Sequence, residues 1–126
     1  MTAKLGPILV VDDDSAVRQA LRFALEMEGL RVQLYEGPAA ILGAKDLPAT
    51  GCLVVDYSMP AMNGIELVDA LRGRSVGLPA ILIASRVSND MRARAARSGI
   101  RKVLEKPLTD GALVETIRSA LVTAPG

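Results

Sequence analysis

Charged residues follow three of the short apolar runs in this chain. Asp12, Asp13 and Asp14 come directly after ILVV, Asp56 comes after CLVV, and Lys106 comes after KVLE. Two carboxylates about 4 Å apart repel each other by roughly 4 kcal/mol at an effective dielectric of about 20, and one lysine does not neutralise such a cluster. A divalent cation is the natural source of the remaining positive charge. Because the ligands are all oxygen, the pattern favours Mg²⁺ or Mn²⁺ over zinc.

The residue types exclude several other chemistries. The chain has no histidine, so it cannot form a Ser-His-Asp or Cys-His arrangement or a histidine-ligated zinc site. Its one cysteine, Cys52, lies in the apolar run CLVV, which excludes a disulfide framework and indicates a small buried side chain. Chemistry must therefore come from carboxylates, lysine, hydroxyls or the backbone.

Five apolar runs of strand length alternate with helical patterns along the chain. The runs are ILVV at 8–11, the segment 31–35, CLVV at 52–55, AILIA at 80–84 and KVLE at 102–105. Three of them are continuously apolar, as a parallel sheet covered on both faces requires. Apolar stripes with helical spacing lie at Val17, Leu21, Ala24 and Leu25, at Ile65, Val68 and Leu71, and at Leu113, Ile117, Ala120 and Leu121. The sequence therefore predicts five βα units in an open, doubly wound α/β sandwich.

Capping residues mark the predicted helix ends. Side chains that suit an N-cap are Asp14, Asn63, Ser88 and Thr109, with Glu66 placed to complete a capping box. Gly29 and Gly99 suit helix C-termini. Strand side chains alternate in direction, so three consecutive acids cannot all face one pocket. We therefore interpret Asp14 as the start of a helix.

The predicted fold brings the other charged residues together. Doubly wound sheets place their sites at the carboxyl ends of the strands. The acids at 12–13, Asp56 and Lys106 all stand at such ends, so we expect them to converge in one small pocket. The segment DYSMPAMNG contains Pro60 and an Asn-Gly turn signal, which hold the loop close beside the acid.

Length and composition fit one soluble domain. The chain has 126 residues, of which 50% are hydrophobic and 23% charged, and a net charge of +1. These values predict a single domain over residues 1–126 with a core at about 7–122. No apolar stretch reaches the roughly 18 residues that span a bilayer, and no signal-peptide hydrophobic region is present. We therefore expect a cytoplasmic protein with no membrane or direct nucleic-acid partner.

Three motifs together resemble a known family. The segments VVDDDSAVR, VVDYSMP with MNG, and EKPL, in this order and spacing, are similar to the receiver domain of bacterial two-component response regulators. The resemblance runs from Ile8 to Leu121 and implies a flavodoxin-like (βα)5 fold with strand order 2-1-3-4-5. It also implies that Asp56 takes a phosphoryl group from a phosphohistidine on a sensor histidine kinase or histidine phosphotransfer protein. Such a protein is a phosphoacceptor and not a turnover enzyme.

The resemblance implies roles for the residues around the acceptor. The Mg²⁺ ligands would be Asp12, Asp13, Asp56 and the backbone carbonyl of Ser58. Lys106 would pair with carboxylate or phosphoryl oxygens, and a cis bond to Pro107 would aim its ammonium group into the pocket. Phosphoryl transfer needs such positioned oxygens and positive charge.

The sequence departs from the family at two switch positions. Receiver domains usually carry Thr or Ser at the end of strand four and an aromatic residue on strand five. Here these positions hold Ala84 and Val103. A one-residue slip would bring Ser85 to the hydroxyl position, but it would also reverse the face of every side chain in the strand. We therefore expect phosphorylation chemistry without the usual coupled switch.

Three functions are compatible with these residues. The first is a stand-alone phosphoacceptor, without an output domain after the last helix, that acts as a regulator or as a phosphate sink or shuttle. The second is a protein-binding module that keeps the receiver fold but works without phosphorylation. The third is a Mg²⁺-dependent phosphohydrolase with Asp12 as nucleophile. The short chain argues against it, because it leaves little room for a substrate cap.

A basic stretch occupies residues 86–102. Its cations are Arg86, Arg92, Arg94, Arg97, Arg101 and Lys102, relieved by Asp90 alone. Such runs usually mark a solvated surface. The functional alternative is an acidic protein partner, because no aromatic residue lies nearby to stack on nucleic-acid bases.

Overall fold

The computed structural model describes residues 6–108 and 111–123 of the chain. The strands are β1 (Ile8–Val11), β2 (Val32–Tyr35), β3 (Cys52–Asp56), β4 (Ala80–Ala84) and β5 (Ile100–Glu105). The helices are α1 (Ser15–Met27), α2 (Pro38–Leu42), α3 (Gly64–Gly73), α4 (Asn89–Arg97) and α5 (Ala112–Thr123). All strand pairs are parallel and the order is β2-β1-β3-β4-β5, which confirms the predicted fold.

The sheet separates two hydrophobic clusters. Alternate residues of β1, β3 and β4 point to opposite faces, and every residue of these three strands is buried. One cluster packs Leu9, Val55 and Leu82 against α2, α3 and α4. The other packs side chains such as Val10 and Ile81 against α1 and α5. The result is a three-layer sandwich, and it explains why the central strands are continuously apolar.

Local capping forms most helix ends as the sequence predicts. Asn63 and Glu66 form a reciprocal capping box at α3, and the Ser88 hydroxyl accepts the Met91 N–H at α4. Gly29 and Gly99 follow α1 and α4 with φ of +82° and +79°, a conformation that favours glycine. The predicted cap Thr109 lies outside the described residues.

The predicted apolar stripe of α1 is wrong at one position. Ala24 is exposed, whereas Leu25 is fully buried. Consecutive residues of a helix are about 100° apart around its axis, so Ala24 falls at the edge of the buried face. Arg18 occupies that face instead, within the first two turns.

The parallel register aligns the strand ends at one edge of the sheet. Val11 of β1 pairs with Val55, and Asp56, the last residue of β3, pairs with Ile83 of β4. Ala84 pairs with Glu105 at the end of β5. The residues that follow β1 and β5 therefore leave the sheet beside Asp56.

Cys52 provides a test of the packed sheet. Its side chain is fully buried, and burial raises the pKa of the thiol to about 12. We expect no reaction with a disulfide reagent such as Ellman's reagent at pH 8 in the folded protein, and rapid reaction after unfolding in urea. The thiol has a pKa of about 8.5 in the unfolded protein and a higher pKa in the folded protein. Below pH ~8.5 its contribution to the free energy of unfolding is therefore fully present, and this contribution is lost as the pH rises toward the folded pKa.

A positive control is a second cysteine introduced by Ala93→Cys, since Ala93 is exposed on α4. Only the introduced thiol is expected to react in the folded variant. A native Cys52 that reacts as fast as the introduced thiol would contradict the packing of β3.

Candidate functional site

Three carboxylates and one ammonium group meet at the carboxyl edge of the sheet. Lys106 Nζ lies 2.9 Å from Asp56 Oδ1. One carboxylate oxygen from each of Asp12, Asp13 and Asp56 lies within 4.8 Å of the others. Asp12 and Asp56 are buried, whereas Asp13 is exposed. The cluster is therefore open to solvent on the side of Asp13.

The β1–α1 loop divides the three consecutive acids between two roles. The Asp14 N–H donates to Asp12 Oδ1 at 2.9 Å, which turns the chain sharply after β1. The Asp14 carboxylate accepts the N–H groups of Ala16 and Val17 at 2.9 and 3.3 Å and caps α1. This turn leaves Asp12 and Asp13 facing Asp56, and Asp14 is the N-cap that the sequence predicts.

Arg18 is a site residue that the sequence analysis did not identify. Its side chain is buried, and its Nη1 donates to the backbone carbonyl of Asp12 at 2.7 Å. Asp12 is therefore held at its carbonyl by Arg18 and at its carboxylate by the Asp14 N–H. The sequence does contain a signal for this role. Arg18 stands at a position of the apolar stripe of α1, six residues after the buried Asp12.

The loop between β3 and α3 is fixed close to Asp56. The Tyr57 N–H donates to the Ile83 carbonyl at 2.8 Å, and the Gly64 N–H donates to the Tyr57 carbonyl at 2.9 Å. Ser58 lies in this loop and is exposed. At Gly64 the backbone approaches β3 so closely that an added Cβ would lie 2.6 Å from the Asp56 carbonyl oxygen. Only glycine fits there without displacing the chain.

The β5–α5 connection directs Lys106 toward the cluster. Its backbone N–H donates to the Ala84 carbonyl at 2.8 Å, and the bond between Lys106 and Pro107 is cis. Burial alone would lower the pKa of Lys106, but the hydrogen bond and charge of Asp56, with smaller effects of Asp12 and Asp14, raise it above the usual value. Lys106 is therefore a stable cation beside the acids.

The surroundings of Asp12 disfavour the charged form of its carboxyl group. Burial raises its pKa, and the charges of Asp56 and Asp13 act in the same direction. The Asp14 N–H and the charge of Lys106 oppose this change without cancelling it. A group of oxygens that repel one another and have lost part of their hydration is what an added divalent cation would stabilise.

The two predicted switch positions carry small apolar side chains. Ala84 is the last residue of β4, is 2% exposed and ends in a methyl group. Ser85 lies beyond the strand and is exposed. Val103 of β5 is buried at 7% exposure. Neither strand thus supplies a hydroxyl or an aromatic ring at these positions.

Comparison with known proteins identifies the family. The response regulator receiver domain family matches residues 8–118. This chain belongs to that family. Receiver domains act in two-component systems as acceptors of phosphoryl groups from histidine kinases or phosphotransfer proteins.

Curated relatives of this receiver domain are longer proteins. The transcriptional regulatory protein FixJ of Azorhizobium caulinodans is 36% identical over 115 residues, which are 91% of this chain and 54% of FixJ. The C4-dicarboxylate transport transcriptional regulatory protein DctD of Pseudomonas aeruginosa is 35% identical over 114 residues, 90% of this chain and 25% of DctD. This receiver domain thus spans about half the length of FixJ and a quarter of DctD.

A solved structure shows the same architecture. The crystal structure of FixJ-N is 31% identical and superposes with a TM-score of 0.87, covering 100% of this receiver domain and 99% of FixJ-N. Within the described part of the receiver domain, no helix is both long and apolar enough to cross a membrane.

Proposed function

We propose that Asp56 is the phosphoacceptor of this receiver domain. The observation that carries the proposal is the 2.9 Å contact between Lys106 Nζ and Asp56 Oδ1, within a cluster of three carboxylates at the open edge of the sheet. Among the residues that the structure describes, Asp56 alone is both the last residue of a central strand and an ion-pair partner of Lys106. The donor is a phosphohistidine outside residues 1–126, since these residues contain no histidine.

The carboxylates fit a Mg²⁺ ion, and Mn²⁺ would use the same ligands. The ligands that we propose are Asp12, Asp13, Asp56 and the backbone carbonyl of Ser58. Three closely spaced oxygen donors with a single ammonium group suit a hard divalent cation. When bound, the ion would neutralise charge on the phosphoryl oxygens.

The side chains account for the transfer step. A carboxylate oxygen of Asp56 attacks phosphorus, a P–O bond forms, and the P–N bond to the donor imidazole breaks. The electron pair of that bond goes to the imidazole, which takes up a proton. Lys106 remains protonated because its pKa is raised, and its ammonium group stabilises the charge on the phosphoryl oxygens. Each chain accepts one phosphoryl group, so it is a phosphoacceptor rather than a turnover enzyme.

In this proposal, residues 1–126 form one receiver domain. Its signalling does not use a switch in which a side-chain hydroxyl bonds to the phosphoryl group and an aromatic ring moves with it. Ala84 has no group that could bond to a phosphoryl oxygen, and the buried Val103 has no ring to reorient. The domain therefore serves as a phosphate sink or shuttle, or signals through another surface. A free, buried thiol and a Mg²⁺-dependent site suit the reducing cytoplasm, where we place the protein.

Small phosphodonors provide a test that does not require the cognate kinase. Incubation with phosphoramidate and Mg²⁺ is expected to add one phosphoryl group, measured by intact mass, and EDTA is expected to prevent it. Labelling that persists in EDTA would contradict the metal role. A hydrolase that turns over small phosphate esters with Asp12 as nucleophile would instead release phosphate continuously without a stable adduct on Asp56.

Mg²⁺ is also expected to stabilise the folded protein. A ligand that binds only the folded state at about 100 times its dissociation constant adds roughly 2.7 kcal/mol to the free energy of unfolding. Urea unfolding followed by circular dichroism, with and without MgCl₂, measures this gain. Asp13→Asn removes an exposed proposed ligand and is expected to abolish most of it. Asp46→Asn, at an exposed acid outside the cluster, is expected to retain it, and equal gains in both variants would refute the ligand assignment.

A further inference from the structure

Arg18 is a buried cation whose side chain ends at a backbone carbonyl. Its side chain is 9% exposed, and Nη1 donates to the Asp12 carbonyl oxygen at 2.7 Å. Neither of the ion pairs among the described residues includes Arg18. Removing a guanidinium group from water is costly, and an aliphatic side chain would pack on this face of α1 without that cost. The burial of a cation here therefore indicates a role at the site.

The carbonyl that Arg18 holds belongs to the peptide between Asp12 and Asp13. A peptide unit is planar, so a hydrogen bond to its oxygen restricts the rotation of the whole unit. The other contacts of this loop act on either side of that peptide: the Asp12 N–H donates to the Tyr35 carbonyl at 3.3 Å, and the Asp12 carboxylate accepts the Asp14 N–H at 2.9 Å. Asp13 is exposed, so surrounding side chains do not enclose it. Its direction therefore depends on the peptide that Arg18 holds.

The acids on both sides of this peptide belong to the acidic cluster. One carboxylate oxygen from each of Asp12, Asp13 and Asp56 lies within 4.8 Å of the others. Like charges at such a separation repel one another, so a loop without restraint would let the carboxylates move apart. Groups that hold metal ligands in place without touching the metal typically change its affinity about 10–100-fold when they are removed. The hydrogen bond from Arg18 is a contact of this kind.

We propose that Arg18 is a positioning residue for the Mg²⁺ site, because it holds the peptide between Asp12 and Asp13 so that both carboxylates face Asp56 before the cation binds. The inference rests on the proposed function, since it takes these acids as Mg²⁺ ligands. In this role Arg18 acts through the loop, without contact to the cation or to the phosphoryl group. Its loss therefore weakens Mg²⁺ binding and leaves the transfer step at saturating Mg²⁺ nearly unchanged.

Mg²⁺ titrations of the unphosphorylated protein, followed by backbone amide shifts in NMR spectra, test this role without any phosphodonor. Arg18→Met keeps an unbranched apolar side chain but removes the donor, and is expected to lower the Mg²⁺ affinity by roughly tenfold or more. Arg18→Lys keeps a donor cation and is expected to lose less. The matched control Arg22→Met removes an exposed arginine four residues later in α1 and is expected to bind Mg²⁺ as wild type does. Equal affinities of wild type and folded Arg18→Met would overturn the proposal.

Labelling rates separate positioning from a general loss of structure. With phosphoramidate as donor, Arg18→Met is expected to need roughly tenfold more Mg²⁺ for its half-maximal rate, and to reach a maximal rate within about twofold of wild type. A lower maximal rate with an unchanged Mg²⁺ requirement would indicate a merely structural role and refute the proposal. If Arg18→Met does not fold, Arg18→Lys takes its place, and a wild-type affinity in that variant is then the contradicting result.

The two measurements also distinguish this proposal from the proposed function. If wild type binds Mg²⁺ but takes no phosphoryl group, the acceptor assignment fails, and the Mg²⁺ titrations still decide the role of Arg18. If wild type takes a phosphoryl group and folded Arg18→Met binds Mg²⁺ equally well, the positioning role fails alone. A wild-type protein that binds no Mg²⁺ would overturn both the metal site and the role of Arg18.

Discussion

Phosphorylation of the Asp56→Asn variant is expected to fall below detection. An amide oxygen is a far poorer nucleophile than a carboxylate, and the substitution also removes the negative charge that pairs with Lys106 at 2.9 Å. The variant keeps the size and polarity of the side chain, so the fold is expected to persist. Labelling by phosphoramidate and Mg²⁺, read by intact mass, measures the loss, and transfer from a phosphorylated histidine kinase provides a second donor.

Two further variants show whether the loss belongs to the acceptor. Asp46→Asn removes an exposed acid outside the cluster and is expected to label as wild type does. Asp13→Asn is expected to label slowly, because the acceptor remains while a proposed metal ligand is lost. Labelling of Asp56→Asn at the wild-type rate would show that another residue carries the phosphoryl group.

Gly64→Ala is expected to destabilise the fold by at least about 2 kcal/mol, in the upper range for overpacked sites. An added Cβ would lie 2.6 Å from the Asp56 carbonyl oxygen and 2.6 Å from Leu82 Cδ1. The carbonyl belongs to the backbone of β3 and cannot move aside like the end of a flexible side chain. Because the displaced residue is Asp56, we also expect slower phosphorylation of the folded fraction. Urea unfolding measures the stability, and labelling at low denaturant measures the rate.

Helix α3 also contains a control substitution that is expected to raise, rather than lower, the free energy of unfolding. Gly73 is the last residue of α3, and no atom lies within 4 Å of a Cβ added there. Gly73→Ala is therefore expected to stabilise the protein by about 0.5–1 kcal/mol through helix propensity. A destabilisation of equal size in both variants would indicate that helix α3 tolerates no side chain at either end, and that close approach to Asp56 is not the cause.

The sheet and the acidic cluster were predictable because both depend on short stretches of sequence. A strand buried on both faces must be continuously apolar, as β1, β3 and β4 are, and parallel strands bring their carboxyl ends to one edge. The N-cap at Asp14 was predictable because capping involves only the next three residues. These features need no knowledge of which helix packs on which face.

Other features depend on contacts between distant segments. Helix α2 has only five residues, too few for a periodic stripe to identify. Arg18 is buried because its guanidinium group reaches the Asp12 carbonyl; the sequence shows an arginine on the apolar stripe of α1 but not the atom that it contacts. The exposure of Ala24 similarly depends on how α1 rests on the sheet. The close approach at Gly64 is set by β3 and by Leu82 of β4, which is outside its own helix.

The placement of charge along β5 affects how this molecule meets other molecules in salt solution. From Lys102 to Lys106 a strand rises about 13 Å, at roughly 3.3 Å per residue. The Debye length at physiological ionic strength is about 8 Å. The field of the carboxylates is therefore largely screened at Lys102, and the two ends of β5 act as separate electrostatic surfaces. An approaching protein responds to the charge at the end that it faces, so the net charge of +1 does not describe the electrostatic potential at either end.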